Sequence, residues 1–144
     1  MDTRISTIMD MKDGRVLSVD SGATVQGAVA IMNEHVIGSV IVLDGDRLVG
    51  IFTERDVLTR IVAEGRDPVS VRVGEVMTRH LTVIERDTTV QQAMSLMTTR
   101  RCRHLPVVAG GKVLAVISIG DLTRWMIRDQ QHAIDDLNDY IHRS

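Results

Sequence analysis

Apolar positions along the chain form two similar blocks, one in each half of the sequence. Residues 25–32 and 90–97 carry apolar side chains at the three- and four-residue spacing of one helix face. Thr24 and Thr89 stand directly before these segments, and threonine is a typical helix N-cap. Each block therefore predicts one capped amphipathic helix.

Extended segments surround each of these helices. A β-rich stretch precedes the helix, at residues 16–20 and 81–85, and two further apolar stretches follow it. The turns between the later stretches contain Gly45 in the first block and Gly110 with Gly111 in the second, which suits a tight reversal. We predict hairpins that pair residues 38–43 with 47–52, and residues 105–108 with 112–117.

The two blocks are copies of one unit. A single register places Thr24, Val25, Gln26, Ala28 and Met32 on Thr89, Val90, Gln91, Ala93 and Met97, without a gap from Asp20 onward. A second helix, starting near Glu54 or Ile119, closes each copy. The predicted fold class is α+β, with two β-α-β-β-α repeats related by a pseudo-twofold axis and a long C-terminal helix. We expect the two sheets to face each other and to share one core.

The predicted domains follow from this duplication. We assign residues 1–65, including an N-terminal helix, to the first repeat and residues 66–124 to the second. Residues 125–144 form a helical tail, and the whole chain of 144 residues is expected to make one compact module.

Composition argues against several classes of function. The 17 basic and 19 acidic residues give a net charge of -2, and there is one each of Trp, Tyr and Phe, so we expect no nucleic-acid partner. No apolar run approaches the ~18 residues of a membrane span, and a single cysteine and the absence of an apolar leader favour a cytoplasmic protein. The five histidines and Cys102 lack metal-ligand spacing, and no nucleophile stands with a base, so we predict neither a metal site nor an enzyme.

One motif occurs at the end of both hairpins. The first copy reads GIFTERD at residues 50–56, and the second reads AVISIGD at residues 115–121. In one interpretation Thr53 and Ser118 are N-caps, and Asp56 and Asp121 complete a variant of the capping box. In the other, the helix N-terminus and the hydroxyl bind a phosphate, while the carboxylate accepts hydrogen bonds from two ribose hydroxyls. The residues themselves leave both interpretations open.

The duplication, the capped helices, the GIFTERD and AVISIGD ends and RHLPVV at residues 103–108 resemble a tandem pair of cystathionine-β-synthase-type (CBS) domains, a Bateman module. The resemblance runs from about Thr3 to about Arg124. It implies regulatory binding of an adenosine nucleotide (AMP, ADP, ATP or NAD) in the cleft between the repeats. The family pattern Gly-x-x-Thr/Ser-x-x-Asp maps onto Gly50, Thr53, Asp56, Ser118 and Asp121. Ala115 departs from it, because it stands where the pattern has glycine.

The resemblance also implies an apolar slot for the adenine ring, built by residues 16–19 with 37–40 at one site and 82–84 with 103–106 at the other. The candidate binding residues of these slots are Ser18, Gly38, Val40, Val83, Arg103, His104 and Pro106. Pro106 lacks an N–H group and leaves nearby backbone groups free for the base. Arg55 and Arg124, like Arg103 and His104, are either phosphate ligands or solvated surface residues. We rank the site of Asp121 first.

The expected function is that of a stand-alone regulatory module that senses an adenosine nucleotide and signals to an unidentified partner protein. The alternative is a ligand-free structural or interaction module with the same fold. We expect Asp121→Asn to weaken nucleotide binding while leaving the stability of the ligand-free protein nearly unchanged.

The apolar pattern of the C-terminal tail predicts that the protein forms an oligomer. Ile127, Ile134 and Ile141 recur every seven residues, with Leu137 between them, as in a short coiled-coil seam. The resemblance implies disc-like dimers, so we predict a homodimer in which the partner covers the apolar helix faces. The alternative is that this helix packs onto its own module.

Overall fold

The computed structural model describes residues 3–12 and 15–143. The helices are α1 (Ile5–Met11), α2 (Val25–His35), α3 (Glu54–Asp56), α4 (Val73–Val76), α5 (Val90–Arg100) and α6 (Ile119–Arg143), and α3 continues as a π-helical segment, Val57–Val62. The strands are β1 (Ser18–Asp20), β2 (Ser39–Asp44), β3 (Arg47–Thr53), β4 (His104–Ala109) and β5 (Lys112–Ser118). The predicted α+β class, with two small sheets and a C-terminal helix, is confirmed.

The predicted caps and turns form as the local sequence requires. Thr24 accepts a hydrogen bond from the backbone N–H of Gly27 at 3.1 Å, and Thr89 accepts one from Gln92 at 3.1 Å. Both two-strand hairpins turn through glycines with positive φ, and Gly45 at φ +64° is the example in the first repeat. These contacts lie within a few residues of each other, so local sequence is sufficient to predict them.

The two sheets differ in size. In the first repeat β1 pairs in parallel with β2, and β2 pairs antiparallel with β3, whereas the second sheet, within the described residues, holds only β4 and β5. The predicted strand at residues 81–85 is wrong: Ile84 alone forms a bridge, to Val107. In the first repeat the N–H of Ile41 donates to Leu17 at 3.1 Å and extends the ladder. Pro106 occupies the equivalent position of the second repeat and has no N–H to donate.

The interior consists of two apolar clusters, so the expectation of one shared core is wrong. Val73 and Val76 of α4 lie in the cluster of the first repeat, although α4 directly precedes the second. Ile5 and Ile8 of α1 lie in the cluster of the second repeat. Each short helix thus packs against the other repeat and not against the one that it directly precedes, which ties the two repeats together.

Backbone hydrogen bonds fix this exchange of short helices. Ile5 donates to the carbonyl of Thr88 at 2.8 Å, just before α5. Val73 donates to the carbonyl of Ala23 at 2.8 Å, just before α2. The two acceptors, Ala23 and Thr88, are equivalent positions of the two repeats. The start of each long helix is therefore the docking point of the exchanged segment.

The C-terminal helix α6 leaves the module after its first turns. It contacts α1, α5 and β5, and Leu122 is buried. From Ile127 onward the described side chains are exposed, with Ile134 at 52% and Leu137 at 59%. Packing of the tail onto its own module is therefore contradicted. Within residues 3–12 and 15–143, no helix is long and apolar enough to cross a membrane.

Candidate functional site

Both strand-to-helix turns form reciprocal caps. The Thr53 hydroxyl accepts from the Asp56 N–H at 3.3 Å, and the Thr53 N–H donates to Asp56 Oδ2 at 3.0 Å. The Ser118 hydroxyl accepts from the Asp121 N–H at 3.1 Å, and the Ser118 N–H donates to Asp121 Oδ2 at 2.8 Å. Strands β3 and β5 deliver these residues directly into the first turn of the following helix, and the capping interpretation is confirmed at both turns.

Burial separates these aspartates from ordinary surface caps. Asp56 is 4% exposed and Asp121 is 7% exposed, and no other charged residue is buried in the part of the chain that the structure describes. Placing a carboxylate away from water is costly unless it is paired or hydrogen-bonded. The partners of each carboxylate therefore determine what the turn does.

Asp56 is held mainly by a residue from the connection between the repeats. The hydroxyl of Thr78 donates to Asp56, with its oxygen 3.0 Å from Oδ1 and 3.2 Å from Oδ2. Arg60 Nε lies 3.7 Å from Asp56 Oδ1, and its Nη1 donates to the carbonyls of Val76 and Met77 at the end of α4. The first turn is thus tied to the segment that follows α4.

Asp121 is held by two cations. Lys12 Nζ lies 2.8 Å from Asp121 Oδ2 and also donates to the carbonyl of Val116, while Arg124 Nη2 lies 2.6 Å from Oδ1. Burial alone would raise the pKa of Asp121, but the hydrogen bonds from Lys12 and Ser118 outweigh it, and the pKa lies below its ordinary value. Because Asp121 holds this network, the structure argues against the expectation that Asp121→Asn leaves stability nearly unchanged.

Sequence reasoning missed Lys12 and Thr78. Neither belongs to the repeated motif, and both reach the aspartates from a distant part of the chain. The duplication does not pair them either: Ile5 and Val73 donate to equivalent carbonyls, and in that register Lys12 falls on His80 and not on Thr78. Both contacts therefore depend on the tertiary fold and carry no signal in the sequence.

Gly50 allows the segment at Met77 and Thr78 to pack closely against strand β3. A Cβ atom at this position would lie 2.6 Å from Met77 Sδ and 2.8 Å from the Thr78 carbonyl oxygen. Thr78 also forms a two-way backbone bridge with Ile51. Glycine is therefore required here so that the segment after α4 can approach β3. In the second repeat the equivalent Ala115 is accommodated and buried.

His104 lies where the two repeats meet. A Cβ atom on Gly38, in the first repeat, would lie 2.8 Å from Glu54 Oε1 and 3.3 Å from His104 Nε2. Burial lowers the pKa of His104, opposed by the nearby Glu54 carboxylate, and Lys12, Asp121 and Arg103 also act on the ring. The structure thus brings together His104, Gly38 and Asp121, three of the residues expected at the sites.

The remaining candidates have varied environments. Val40 is buried in the core of the first repeat, and Pro106 is buried at the start of the second hairpin. The exposed candidates are Ser18, Arg55, Val83, Arg103 and Arg124. Among the described residues, no three His, Cys, Asp or Glu side chains converge as metal ligands would.

A separate apolar groove of about 710 Å³ lies on the first repeat, between α2 and the π-helical segment. Val25, Val29, Ile61 and Val62 contribute to its wall, and neither Asp56 nor Asp121 lines it. The groove is therefore distinct from the two capped turns.

The structure defines a duplicated α+β module with a buried carboxylate at each strand-to-helix turn. Residues 5–63 and 73–128 each match the CBS domain model, and the chain belongs to the CBS-domain family. It is a CBS-domain pair of the regulatory or signal-transduction type. Proteins made only of CBS domains are typically regulatory rather than catalytic.

Relatives with similar sequences and structures agree with this assignment. The chain is 36% identical over 148 residues to the CBS domain-containing protein CBSX3, mitochondrial, of Arabidopsis thaliana, covering 96% of this chain and 72% of the relative. A protein with CBS domains from Burkholderia ambifaria MC40-6, to which a role in signal transduction is ascribed, superposes with a TM-score of 0.86 at 38% identity, covering 89% and 96% of the two chains. A hexameric CBS-CP12 protein from bloom-forming cyanobacteria gives a TM-score of 0.76 at 30% identity, covering 85% and 67%.

Proposed function

We propose that this CBS-domain pair binds an adenosine nucleotide (AMP, ADP, ATP or NAD) and signals its presence to a partner protein. CBS domains generally bind adenosine ligands. The observation that carries the proposal is the burial of Asp56 and Asp121 at two helix N-termini. Carboxylates in this position offer acceptors for ribose hydroxyls beside a turn that favours phosphate.

The surroundings of Asp121 favour it as the main site. Lys12 and Arg124 contact its carboxylate directly, His104 pairs with Ser118 across the hairpin, and the Arg103 carbonyl accepts from the Ile119 N–H. A phosphate group placed here would meet several positive charges. At Asp56 the direct contacts are the neutral groups of Thr53 and Thr78, and the Arg60 guanidinium is already engaged with backbone carbonyls.

A ligand-free interaction module is the second candidate. It is favoured by one observation, which is that both buried carboxylates already have partners within the chain. In this case the aspartates only hold the exchanged segments in place, and the exposed helix α6 is the surface that binds a partner. A cytoplasmic location belongs to either proposal and rests on the sequence alone.

Thermal unfolding with AMP, ADP, ATP and NAD at millimolar concentration distinguishes the two candidates. A nucleotide present at a hundred times its Kd adds about 2.7 kcal/mol to the free energy of unfolding, which raises Tm by about 5 to 10 °C at this chain length. The 2′-deoxy form of the best ligand is the matched control, because it removes one of the two hydroxyls. A Tm that none of the four nucleotides changes contradicts the sensor.

Calorimetry then assigns the site. Asp121→Asn keeps the shape of the side chain but removes the charge that strengthens the hydrogen bonds to ribose, so we expect at least roughly tenfold weaker binding. Because the same change disturbs Lys12 and Arg124, titrations are made well below the Tm of the variant. Asp56→Asn is the matched variant of the other turn. Lower stability with unchanged affinity in both variants would leave the aspartates a purely structural role.

A further inference from the structure

Lys12 occupies the position that a ribose would need at Asp121. Its ammonium group contacts Oδ2 at 2.8 Å, an oxygen that also accepts from the Ser118 N–H, while Arg124 is bound to Oδ1. A carboxylate accepts about four hydrogen bonds, and three of these are taken. Two ribose hydroxyls therefore cannot bind side by side unless one present partner leaves.

The position of Lys12 identifies it as the partner that leaves. The Ser118 N–H is part of the helix cap, and Arg124 is a helical neighbour of Asp121 with 72% of its side chain exposed. Lys12 is only 35% exposed, and it stands at the end of α1 from which the chain continues towards the first repeat. A ligand between the repeats approaches from that side.

The first repeat has an equivalent arrangement with a neutral group. Thr78 follows α4 and binds Asp56, just as Lys12 follows α1 and binds Asp121. In each case a side chain that follows an exchanged helix binds the buried carboxylate of the other repeat. Only at Asp121 is the group from the exchanged segment charged, whereas the cation near Asp56, Arg60, belongs to the first repeat itself.

We propose that Lys12 is an internal competitor for Asp121, and that an adenosine nucleotide binding there displaces the Lys12 ammonium group. The proposal rests on the proposed function and adds how the protein would respond to the bound nucleotide. Lys12 directly follows α1, which is anchored in the core of the second repeat through Ile5 and Ile8. Displacement releases Lys12, at the end of α1, from the site, so ligand occupancy changes how the end of this helix is held.

Amine labelling tests the displacement in the unmodified protein. The sequence contains two lysines, Lys12 and the exposed Lys112 at the start of β5, so each is followed by mass spectrometry as its own peptide. We expect saturating nucleotide to increase the acetylation rate of Lys12 several-fold and to leave that of Lys112 unchanged. An unchanged or slower rate at Lys12, with the nucleotide shown to be bound, overturns the proposal.

Affinities provide the second test. Lys12→Met removes the competing charge and keeps the apolar stem, so adenosine should bind about three- to tenfold more tightly, the scale expected for a partly buried ion pair. Lys112→Met is the matched control and should bind as the wild type does. Tighter binding by Arg124→Met but not by Lys12→Met would overturn the proposal, because the other cation is then the one displaced.

The two proposals fail in different ways. If the wild type binds no nucleotide, the proposed function is wrong and this inference is wrong with it. If the wild type binds a nucleotide but Lys12→Met has no effect, the inference alone is wrong.

Discussion

His104 is the residue through which solution pH acts on the contact between the repeats. Burial lowers its pKa in the folded protein, against the effect of Glu54, while Lys12, Asp121 and Arg103 contribute the other nearby charges. The unfolded chain binds a proton near the ordinary value of 6.5, so the stability gained from neutral His104 is complete above that pH and is lost as pH falls below it. We expect Tm to decrease between pH 7.5 and pH 5.5, and His104→Gln to reduce that decrease.

The pH effect of His104 has a direct control. His132 lies on the exposed part of α6, away from the contact between the repeats, so His132→Gln is the matched histidine replacement. Both variants are followed by circular dichroism across the same pH series. A His104→Gln protein with the full wild-type decrease would show that other groups cause it.

Single residues also show which contacts of the site can be predicted from the sequence. Thr53 with Asp56 and Ser118 with Asp121 are predictable, because a cap is a contact between residues three positions apart. Lys12 is not, because its partner lies in the other half of the chain and no local pattern marks the contact. The charge state of the site therefore depends on tertiary structure.

Among whole elements, helices α2 and α5 and both hairpins follow from local chemistry, whereas two features do not. In the described part of the chain, Ile84 forms a single bridge and not a third strand of the second sheet, because Pro106 removes one donor from an otherwise matching pattern. The exchange of α1 and α4 between repeats is invisible in the sequence, because a short helix with one apolar face fits either core equally well.

The end of α2 contains conformational strain that a substitution should relieve. Val36 adopts φ 52° and is 91% exposed, although a β-branched residue strongly disfavours the left-handed region. Asparagine tolerates this region, so Val36→Asn should increase the free energy of unfolding by about 0.5 to 1 kcal/mol. Urea denaturation measures the change. Arg101→Asn at the equivalent position of α5, where φ is 53°, should gain less because arginine is not β-branched. A destabilised Val36→Asn protein would mean that Val36 makes a contact worth more than the strain.

At the scale of the whole molecule, the apolar stripe of α6 is exposed on its own module. Ile127 is 60% exposed, and Ile134 and Leu137 follow it along the same face of the helix. An amphipathic helix that extends from a folded module is stabilised when a second copy covers its apolar face. CBS-domain proteins often form oligomers. The homodimer, with the tail as part of its interface, stays a prediction.

Light scattering on a chain that ends at Asp129 tests the role of the tail. A seam of about two heptads is short, so we expect the full chain to dimerise in a concentration-dependent manner and the shortened chain to shift towards the mass of its own single protomer. Leu137→Asp should have the same effect in the full-length protein, since each buried leucine contributes roughly 1.5 to 3 kcal/mol and two copies lose it. Asp136→Ala, on the polar side of the same turn, is the matched control and should leave the dimer intact. A shortened chain that remains a dimer of unchanged stability would show that the module pairs through other surfaces, and a monomeric full-length protein would show that the homodimer itself is wrong.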